Sequence, residues 1–410
     1  MTSRYASLDR ADLAVLVPEL LLCGQLMDRS AMAWVIEAWG REEMARVAID
    51  EWAAASPIYT RRMQRALRYE GTDVVTVFKG LQLDIGAPPQ FMDFRYTVHD
   101  RWHGEFHLDH CGALMDVEPM GESYVRSMCH DIEDPTFDAT AVATNPRAQV
   151  RPVHRPPRTP ADRHPHCAWT VVIDDTHPEV SATPACLELA RSRAATLELD
   201  PVDPRDDGAA DYSGPLLADL DFTAFSHSAL ARTADEVVVQ MHLLALGFAA
   251  ALRRRADAGR ARELATKALV GVAGITAERI HRALRLPGGP EGALRLLELH
   301  PMLNPGAYVS ADVTDGVLRV AESPAHEDGG WATLYGPGSP RPLQAVVRAV
   351  DPALDVAVEG SPPTWSLRVV DTGEPAPEAE EVVVTRFSTG AAFRFEPRRS
   401  LPVIAVTSGP

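Results

Sequence analysis

The residues of this chain that could do chemistry are concentrated in one stretch of its first half. Eight of its fourteen histidines fall within His99–His166, and three of its five cysteines fall within Cys111–Cys167. Thiols and imidazoles bind soft or borderline metal ions, and they also act as nucleophiles and bases. We therefore expect the chemistry of the protein to lie within about Asp93–Asp175.

A metal site is the first hypothesis for this stretch. Zinc and iron are held by thiolates, neutral imidazoles and carboxylates, and an ion with an open position lowers the pKa of a bound water toward about 7. Asp131 or Glu133 would take the proton of that water. The expected cofactor is Zn or Fe, and iron would turn the same site toward redox chemistry. The predicted metal ligands are Cys129, His130, His154, His166, Cys167 and His110.

Thiol catalysis without a metal is the second hypothesis. Cys129 is followed closely by an imidazole and carboxylates, which are the groups that lower a thiol pKa and orient the base. Cys111, at the end of a predicted strand, is the alternative nucleophile. A third hypothesis is a metal- or metabolite-binding protein without catalytic activity. The predicted catalytic residues are Cys111, Cys129, Asp131 and Glu133.

Two arginines in a proline-rich stretch are the predicted substrate-binding residues. Arg151 and Arg155 interleave with Pro152, Pro156 and Pro157. Guanidinium groups present a fixed fork of donors that suits carboxylates. Together with the metal hypothesis, the sequence therefore predicts a metal-dependent hydrolase-like enzyme acting on a small anionic molecule.

Strand ends and a short helix must bring these residues together. Alternating apolar residues predict a hairpin with strands at Phe91–Val98 and Glu105–His110. A short helix is predicted from Pro119 to about Met128. Further strands near Val150–His154 and Cys167–Ile173 would complete an antiparallel sheet.

The same order of elements recurs in the second half of the chain. Arg61–Tyr69 (RRMQRALRY) resembles Glu278–Leu286 (ERIHRALRL), and Ile132–Ala139 (IEDPTFDA) resembles Ala349–Val356 (AVDPALDV). The predicted fold class is α+β, with two tandem copies of a helical layer followed by a small antiparallel sheet, related by a pseudo-two-fold duplication. The predicted domains are 1–175, which carries the site, a linker at 176–233, and a degenerate copy at 234–410.

The second copy lacks the residues that could do chemistry. In this alignment Cys111 corresponds to Ser323, and His110 corresponds to Glu322. Cys129 and His130 likewise align with Val346 and Val347. A fold that survives without these side chains does not need them for packing, which favours a functional role in the first copy.

Composition restricts the partners and the location. The formal net charge is -17, whereas proteins that bind nucleic acid through its backbone need clustered Lys and Arg. No stretch approaches the roughly 20 apolar residues that span a membrane. We expect a cytoplasmic protein with a small-molecule substrate, no nucleic acid partner, no membrane partner and a possible homodimer.

The first copy resembles the L-2-amino-thiazoline-4-carboxylic acid hydrolase family. The resemblance rests on a helical first half, a hairpin that ends in Cys111, a short helix that ends in Cys129, acids at Asp131 and Asp134, and a strand that opens with Cys167. It covers roughly 48–175. The resemblance implies a hydrolase that opens a small ring containing sulfur and nitrogen by adding water across an activated C=N carbon. It therefore implies an enzyme acting on C–N bonds of a heterocyclic or amide-like substrate.

Overall fold

The structure, a computed structural model, describes residues 3–386 and 400–406. The end of the predicted second copy, 387–399 and 407–410, lies outside the described residues. The described chain is mixed α+β, which confirms the predicted class. Its helices in the first half are α1 (Arg10–Trp39), α2 (Arg41–Ala66), α3 (Val74–Leu81), α4 (Gly112–Val117), α5 (Glu122–Arg126) and α6 (Glu133–Ala141). The later helices are α7 (Pro184–Leu189), α8 (Arg193–Thr196), α9 (His227–Arg253), α10 (Ala258–Leu284), α11 (Gly289–Leu299), α12 (Pro324–Asp328), α13 (Arg341–Arg348) and α14 (Glu380–Arg386).

The strands form two antiparallel sheets of four strands each. The strands are β1 (Met92–Val98), β2 (His103–Cys111), β3 (Ala148–His154), β4 (Cys167–Ile173), β5 (Ala311–Thr314), β6 (Val317–Val320), β7 (Leu354–Ser361) and β8 (Thr364–Asp371). The first sheet has the order β1-β2-β4-β3, and the second has the order β5-β6-β8-β7. A duplicated unit would give this shared order, but a common origin of the two halves stays a prediction.

The long helices of the two halves pack against each other. Helix α1 lies along α9 and α10, and α2 lies along α9. One apolar core runs through all four helices and continues to Trp365 and Leu367 of the second sheet. A second core lies beneath the first sheet and contains Trp169 and Phe106. The halves therefore share a core.

The segment 176–233, predicted as a linker, is folded onto the first half. It contains α7 and α8, and its backbone is held by buried side chains of the helices. The guanidinium of Arg62 donates to the carbonyl oxygens of Ala195 and Leu197 at 3.0 and 2.8 Å. The ammonium of Lys79 donates to the carbonyl of Tyr212 at 2.8 Å. These bonds fix the segment, so it is a packed connection.

Helix α9 is apolar because it lies in the core. Within the described residues it is the one helix long and apolar enough to cross a membrane, and 89% of its apolar window is buried inside the protein. Burial of this kind is typical of the core helix of a soluble protein.

The buried imidazole of His242 makes the fold sensitive to acid. Its Nε2 lies 2.7 Å from the carbonyl oxygen of Asn304, and burial lowers the pKa of His242 to about 4. An unfolded histidine has a pKa near 6.5, so the folded state disfavours the proton. Stability is fully present above about pH 6.5 and is lost as the pH falls toward 4.

We expect the free energy of unfolding to fall by about 2 kcal/mol through His242 alone between about pH 7 and about pH 4.5. Urea unfolding at the two pH values measures the drop. It should be smaller in His242→Gln and unchanged in His281→Gln, whose imidazole is not fully buried. An equal drop in wild type and His242→Gln would contradict the assignment.

Candidate functional site

The three predicted thiols lie together in the core beneath the first sheet. Cys111 is the last residue of β2, Cys129 lies in a π-helical turn at Ser127–Ile132, and Cys167 opens β4. All three are free and buried in one apolar cluster. The negative charge of Glu133 raises the pKa of each of these thiols. The structure thus brings together Cys111, Cys129, Glu133 and Cys167.

A shift in strand register turns Cys111, and not His110, toward this core. Met92 pairs with Cys111 whereas Phe94 pairs with Leu108, so β2 contains one extra residue between the two pairs. Side chains alternate between the faces of a strand, so the extra residue moves Cys111 onto the face of Leu108. His110 is half-buried, and its ring centroid lies 6.2 Å from that of His166.

Burial keeps the thiols protonated. It raises the pKa of Cys111 to about 12 and raises the pKa values of Cys129 and Cys167 well above the ordinary range. Glu133 is the next cause for all three, because a neighbouring negative charge disfavours a thiolate. The thiolate is the nucleophilic form of cysteine. The predicted nucleophiles Cys111 and Cys129 are therefore poorly activated in this structure.

The predicted metal ligands are divided among separate places. Cys129 and Cys167 lie in the core, whereas His110 and His166 are neighbours of each other. Nε2 of His130 lies 2.6 Å from the carbonyl oxygen of Pro156. In the described part of the chain, none of the six predicted ligands belongs to a group of three donors within 4.8 Å of one another. The sequence could not place the histidines relative to the thiols, because strand register decides it.

His154 and His166 differ in their surroundings. His154 pairs with Ala168, the neighbour of Cys167 on β4, so its side chain lies on the opposite face of the sheet from that thiol. His166 is buried, and its backbone N–H donates to the carbonyl of Leu108 at 2.8 Å. Burial, followed by the charge of Arg158, lowers the pKa of His166 to about 4. Both imidazoles are neutral at neutral pH, since burial lowers the pKa of His154 as well.

The two predicted substrate-binding arginines are held in ion pairs. Nη1 of Arg151 lies 2.9 Å from both carboxylate oxygens of Asp138. Arg155 pairs with Asp134, and its guanidinium lies over the ring of Trp169 at 5.8 Å from the centroid. Each cation already has an anionic partner, so the structure does not offer the open clamp for an anion that the sequence predicts.

Asp131 and Glu133 are separated by burial. Asp131 is exposed, whereas Oε2 of Glu133 is buried and has no hydrogen-bond partner among the described residues. Burial raises the pKa of Glu133 to about 8, opposed by the charge of Arg155 and assisted by that of Asp134. A carboxyl group with this pKa gains and loses a proton near neutral pH, which suits a general acid or base.

Glu133 lines a cavity between the long helices and the first sheet. Its empty space, with the open mouth included, is about 660 Å³. A larger apolar pocket adjoins it and shares several walls, among them Gln25 and Met128. The thiols do not line the cavity. Its walls include Gln25, Asp28, Trp52, Asp84, Leu108, Met128, Glu133 and Phe137.

Two carboxyl groups, those of Asp28 and Glu51, are hydrogen-bonded to each other at the cavity. Asp28 lines the cavity wall, and Glu51 lies behind it. Burial raises both pKa values. The pKa of Glu51 is raised well above its ordinary range. Glu51 therefore stays protonated and donates a hydrogen bond to Asp28. The indole Nε1 of Trp52 also donates to Asp28, at 2.8 Å.

Asp84 is the third acid of the cavity wall. Its Oδ1 accepts from the hydroxyl of Tyr59 at 2.9 Å and from the backbone N–H of Gly86 at 2.7 Å. Burial raises the pKa of Asp84 to about 6 despite these bonds. The carboxylate is therefore fixed in position by the protein.

The cavity has more hydrogen-bond acceptors than donors. Oε1 of Gln25 and Oε2 of Glu133 are buried without a partner among the described residues. The described walls of this cavity contain acids, an amide, hydroxyls and apolar groups, but no Lys, Arg or His. Leaving a buried polar atom unpaired costs about 1 to 3 kcal/mol, so a ligand that supplies N–H groups would be stabilised here.

The helical residues of this cavity were not predicted from the sequence. Gln25 and Asp28 lie three positions apart in a helix whose neighbouring residues Leu20–Met27 are all buried. Residues three apart share a helix face. Polar groups inside such an apolar run were therefore the available signal for a buried polar site.

Comparison with models of protein families, with curated proteins and with solved structures gave no match for this chain.

Proposed function

We propose that the chain is a hydrolase that binds a small molecule carrying an amidine-like group on an apolar body and uses Glu133 to transfer protons during the addition of water. One observation carries this proposal: the buried, unpartnered Oε2 of Glu133 belongs to a residue on the wall of a cavity rich in acceptors. An apolar pocket with a few convergent polar groups is the usual form of a small-molecule site.

The surroundings of Glu133 support a role in proton transfer. Protonated thiols and apolar side chains back the carboxylate, and this weakly polar layer disfavours its charge. A pKa near the working pH lets one group accept and return a proton in the same cycle. The three cysteines then act as the apolar backing of Glu133 and take no covalent part.

The donor-poor walls favour a different substrate from the one expected from the sequence. Arg151 and Arg155 are paired with Asp138 and Asp134, so they do not offer a free cation to an anionic substrate. An amidine carries several N–H groups around one carbon and forms two parallel hydrogen bonds with a carboxylate. Such a group would satisfy Gln25 and Glu133 together.

The proposed reaction adds one water to the amidine carbon. Glu133 takes a proton from the water while the oxygen of the water bonds to the carbon, and the electron pair of the C=N bond moves to nitrogen. The electron pair on nitrogen then re-forms the C=N bond as the bond from this carbon to the ring sulfur, or to the second nitrogen, breaks, and Glu133 returns the proton to the leaving atom. The products together contain the substrate and one water.

The resemblance found in the sequence supports this class of reaction, because it implies opening of a ring that contains an amidine-like carbon. We place the protein in the cytoplasm, where its five free thiols would remain reduced. The proposed partner is the small-molecule substrate. A homodimer stays a prediction, and so does the absence of nucleic acid and membrane partners.

A comparison of two ring substrates tests the proposal. We expect 2-aminothiazoline to be converted to a product heavier by one water and with a free thiol, measured by liquid chromatography and mass spectrometry. The 4-carboxylate of the same ring should react less well, because the cavity offers no free cation to its carboxylate. Failure of both rings to bind or react would contradict the proposed substrate class. A strong preference for the carboxylate would favour the anionic substrate first expected.

A further inference from the structure

The turn of the β1–β2 hairpin places three possible metal donors together. The ligand atoms of His99, His103 and Glu105 all lie within 4.8 Å of one another. Nε2 of His99 lies 3.2 Å from Oε1 of Glu105, and the two imidazole centroids are 4.5 Å apart. These residues had no role in the chemistry predicted from the sequence, and they lie at the opposite end of the hairpin from Cys111.

The backbone of the turn holds these residues in position. Oδ1 of Asp100 accepts from the backbone N–H groups of Trp102 and His103 at 2.6 and 2.9 Å. The carbonyl of His103 in turn accepts from the N–H groups of His99 and Asp100 at 3.0 and 3.1 Å. His99 and His103 therefore face each other across a closed turn.

Strand geometry adds the carboxylate to the same face. Glu105 lies two residues after His103, and side chains two apart in a strand share a face. Gly104 between them allows the hairpin to lie against α3, since a Cβ there would be 2.7 Å from the ring of Phe78. A donor set on a backbone fixed in this way needs only side-chain rotations to close around an ion.

A ring nitrogen that lies beside a carboxylate but makes no hydrogen bond points to an ion. Nε2 of His99 is buried from solvent and has no hydrogen-bond partner among the described residues, although a carboxylate oxygen is only 3.2 Å away. Two ligands of one metal have this relation: they are close together, and both face a third atom. At bond lengths of about 2.1 Å, tetrahedral ligands lie roughly 3.4 Å apart, a separation that this set approaches.

We infer that His99, His103 and Glu105 form a site for a divalent transition metal of the zinc class, with water completing the coordination. Two imidazoles and a carboxylate are a ligand set that zinc accepts. Met92 lies at the other end of β1 from the site, and Leu108, three residues after Glu105 on β2, lies on the other face of that strand; both line the cavity. The ion therefore has a structural role: it cross-links the two strands at the hairpin turn. It is separate from the proposed reaction, and a chelator should leave binding of 2-aminothiazoline unchanged.

Zinc titration of the metal-stripped, full-length protein tests this site. Calorimetry and elemental analysis should give one tightly bound zinc per chain, and zinc should raise the melting temperature. Cobalt in its place should give the visible absorption of a low-coordinate ion. His103→Ala should weaken zinc binding by at least about 100-fold, because loss of an outer-shell partner alone weakens metal affinity by about 10- to 100-fold.

Two further variants make the test specific. Glu105→Gln keeps the shape of the side chain and should also weaken zinc binding, which guards against a folding defect in His103→Ala. His281→Ala removes an imidazole elsewhere and should bind zinc like the wild type. The inference is overturned if the wild type binds no zinc, if the hairpin variants keep wild-type affinity, or if zinc is lost in Cys129→Ser and retained in His103→Ala.

Discussion

Replacing Glu133 with glutamine should lower kcat/KM for 2-aminothiazoline by about 100-fold or more, the range that general acid–base groups contribute. Glutamine keeps the size of the side chain and one acceptor oxygen, but it cannot take a proton from water. The melting temperature should stay the same or rise, because the variant removes a carboxyl group whose charge is disfavoured by burial. Steady-state kinetics and thermal unfolding measure the two effects.

The pH dependence should identify Glu133 as the proton acceptor. Its pKa of about 8 predicts that kcat/KM rises with pH up to about 8, because only the deprotonated carboxylate accepts the proton of water. Glu133→Gln should lose this rise. Glu122→Gln is the matched control, because its exposed carboxylate on α5 pairs with Arg126. If kcat/KM of Glu133→Gln rises with pH as it does in the wild type, Glu133 is not the proton acceptor.

Replacing Glu236 with leucine should lower the free energy of unfolding by about 3 to 5 kcal/mol, as expected when one member of a buried ion pair is removed. Glu236 of α9 accepts from Nε and Nη2 of Arg62 on α2 at 2.9 and 3.1 Å, and both residues are almost completely buried. Arg232 binds the same carboxylate at 2.9 Å. Without Glu236, the buried guanidinium of Arg62 loses its countercharge.

This ion pair joins the two halves, so its loss tests whether they unfold together. Urea unfolding of Glu236→Leu should show one cooperative transition at a lower midpoint. Glu263→Leu breaks an exposed pair with Arg260 and should shift the midpoint far less. Two separate transitions, or equal shifts in the two variants, would show that the halves do not depend on this contact.

Local patterns in the sequence carried much of the fold. The alternation of Phe94, Tyr96 and Val98 predicted β1, which ends at the predicted residue, and the valine-rich stretch near Cys167 predicted β4. Helix α2 contains Pro57 in its interior, although proline is ordinarily tolerated only in the first turn of a helix. Buried neighbours in the core override such a local preference.

The arrangement of the site depended on features that no local pattern encodes. The extra residue in β2 reverses the faces of His110 and Cys111, so the predicted imidazole is outside the cluster and the thiol is inside. Asp28 on α1 and Glu133 on α6 are more than 100 positions apart, and only tertiary packing places them on one cavity. Residue types showed which stretch was unusual, whereas tertiary contacts decided which of its members meet.

A crystal structure of the protein with 2-aminothiazoline tests the central claim most directly. We predict that the ring occupies the cavity, with its N–H groups within hydrogen-bond distance of Oε2 of Glu133 and Oε1 of Gln25. A ring bound elsewhere, or a ring in the cavity whose nitrogen atoms face away from Glu133, would contradict the role assigned to this carboxylate.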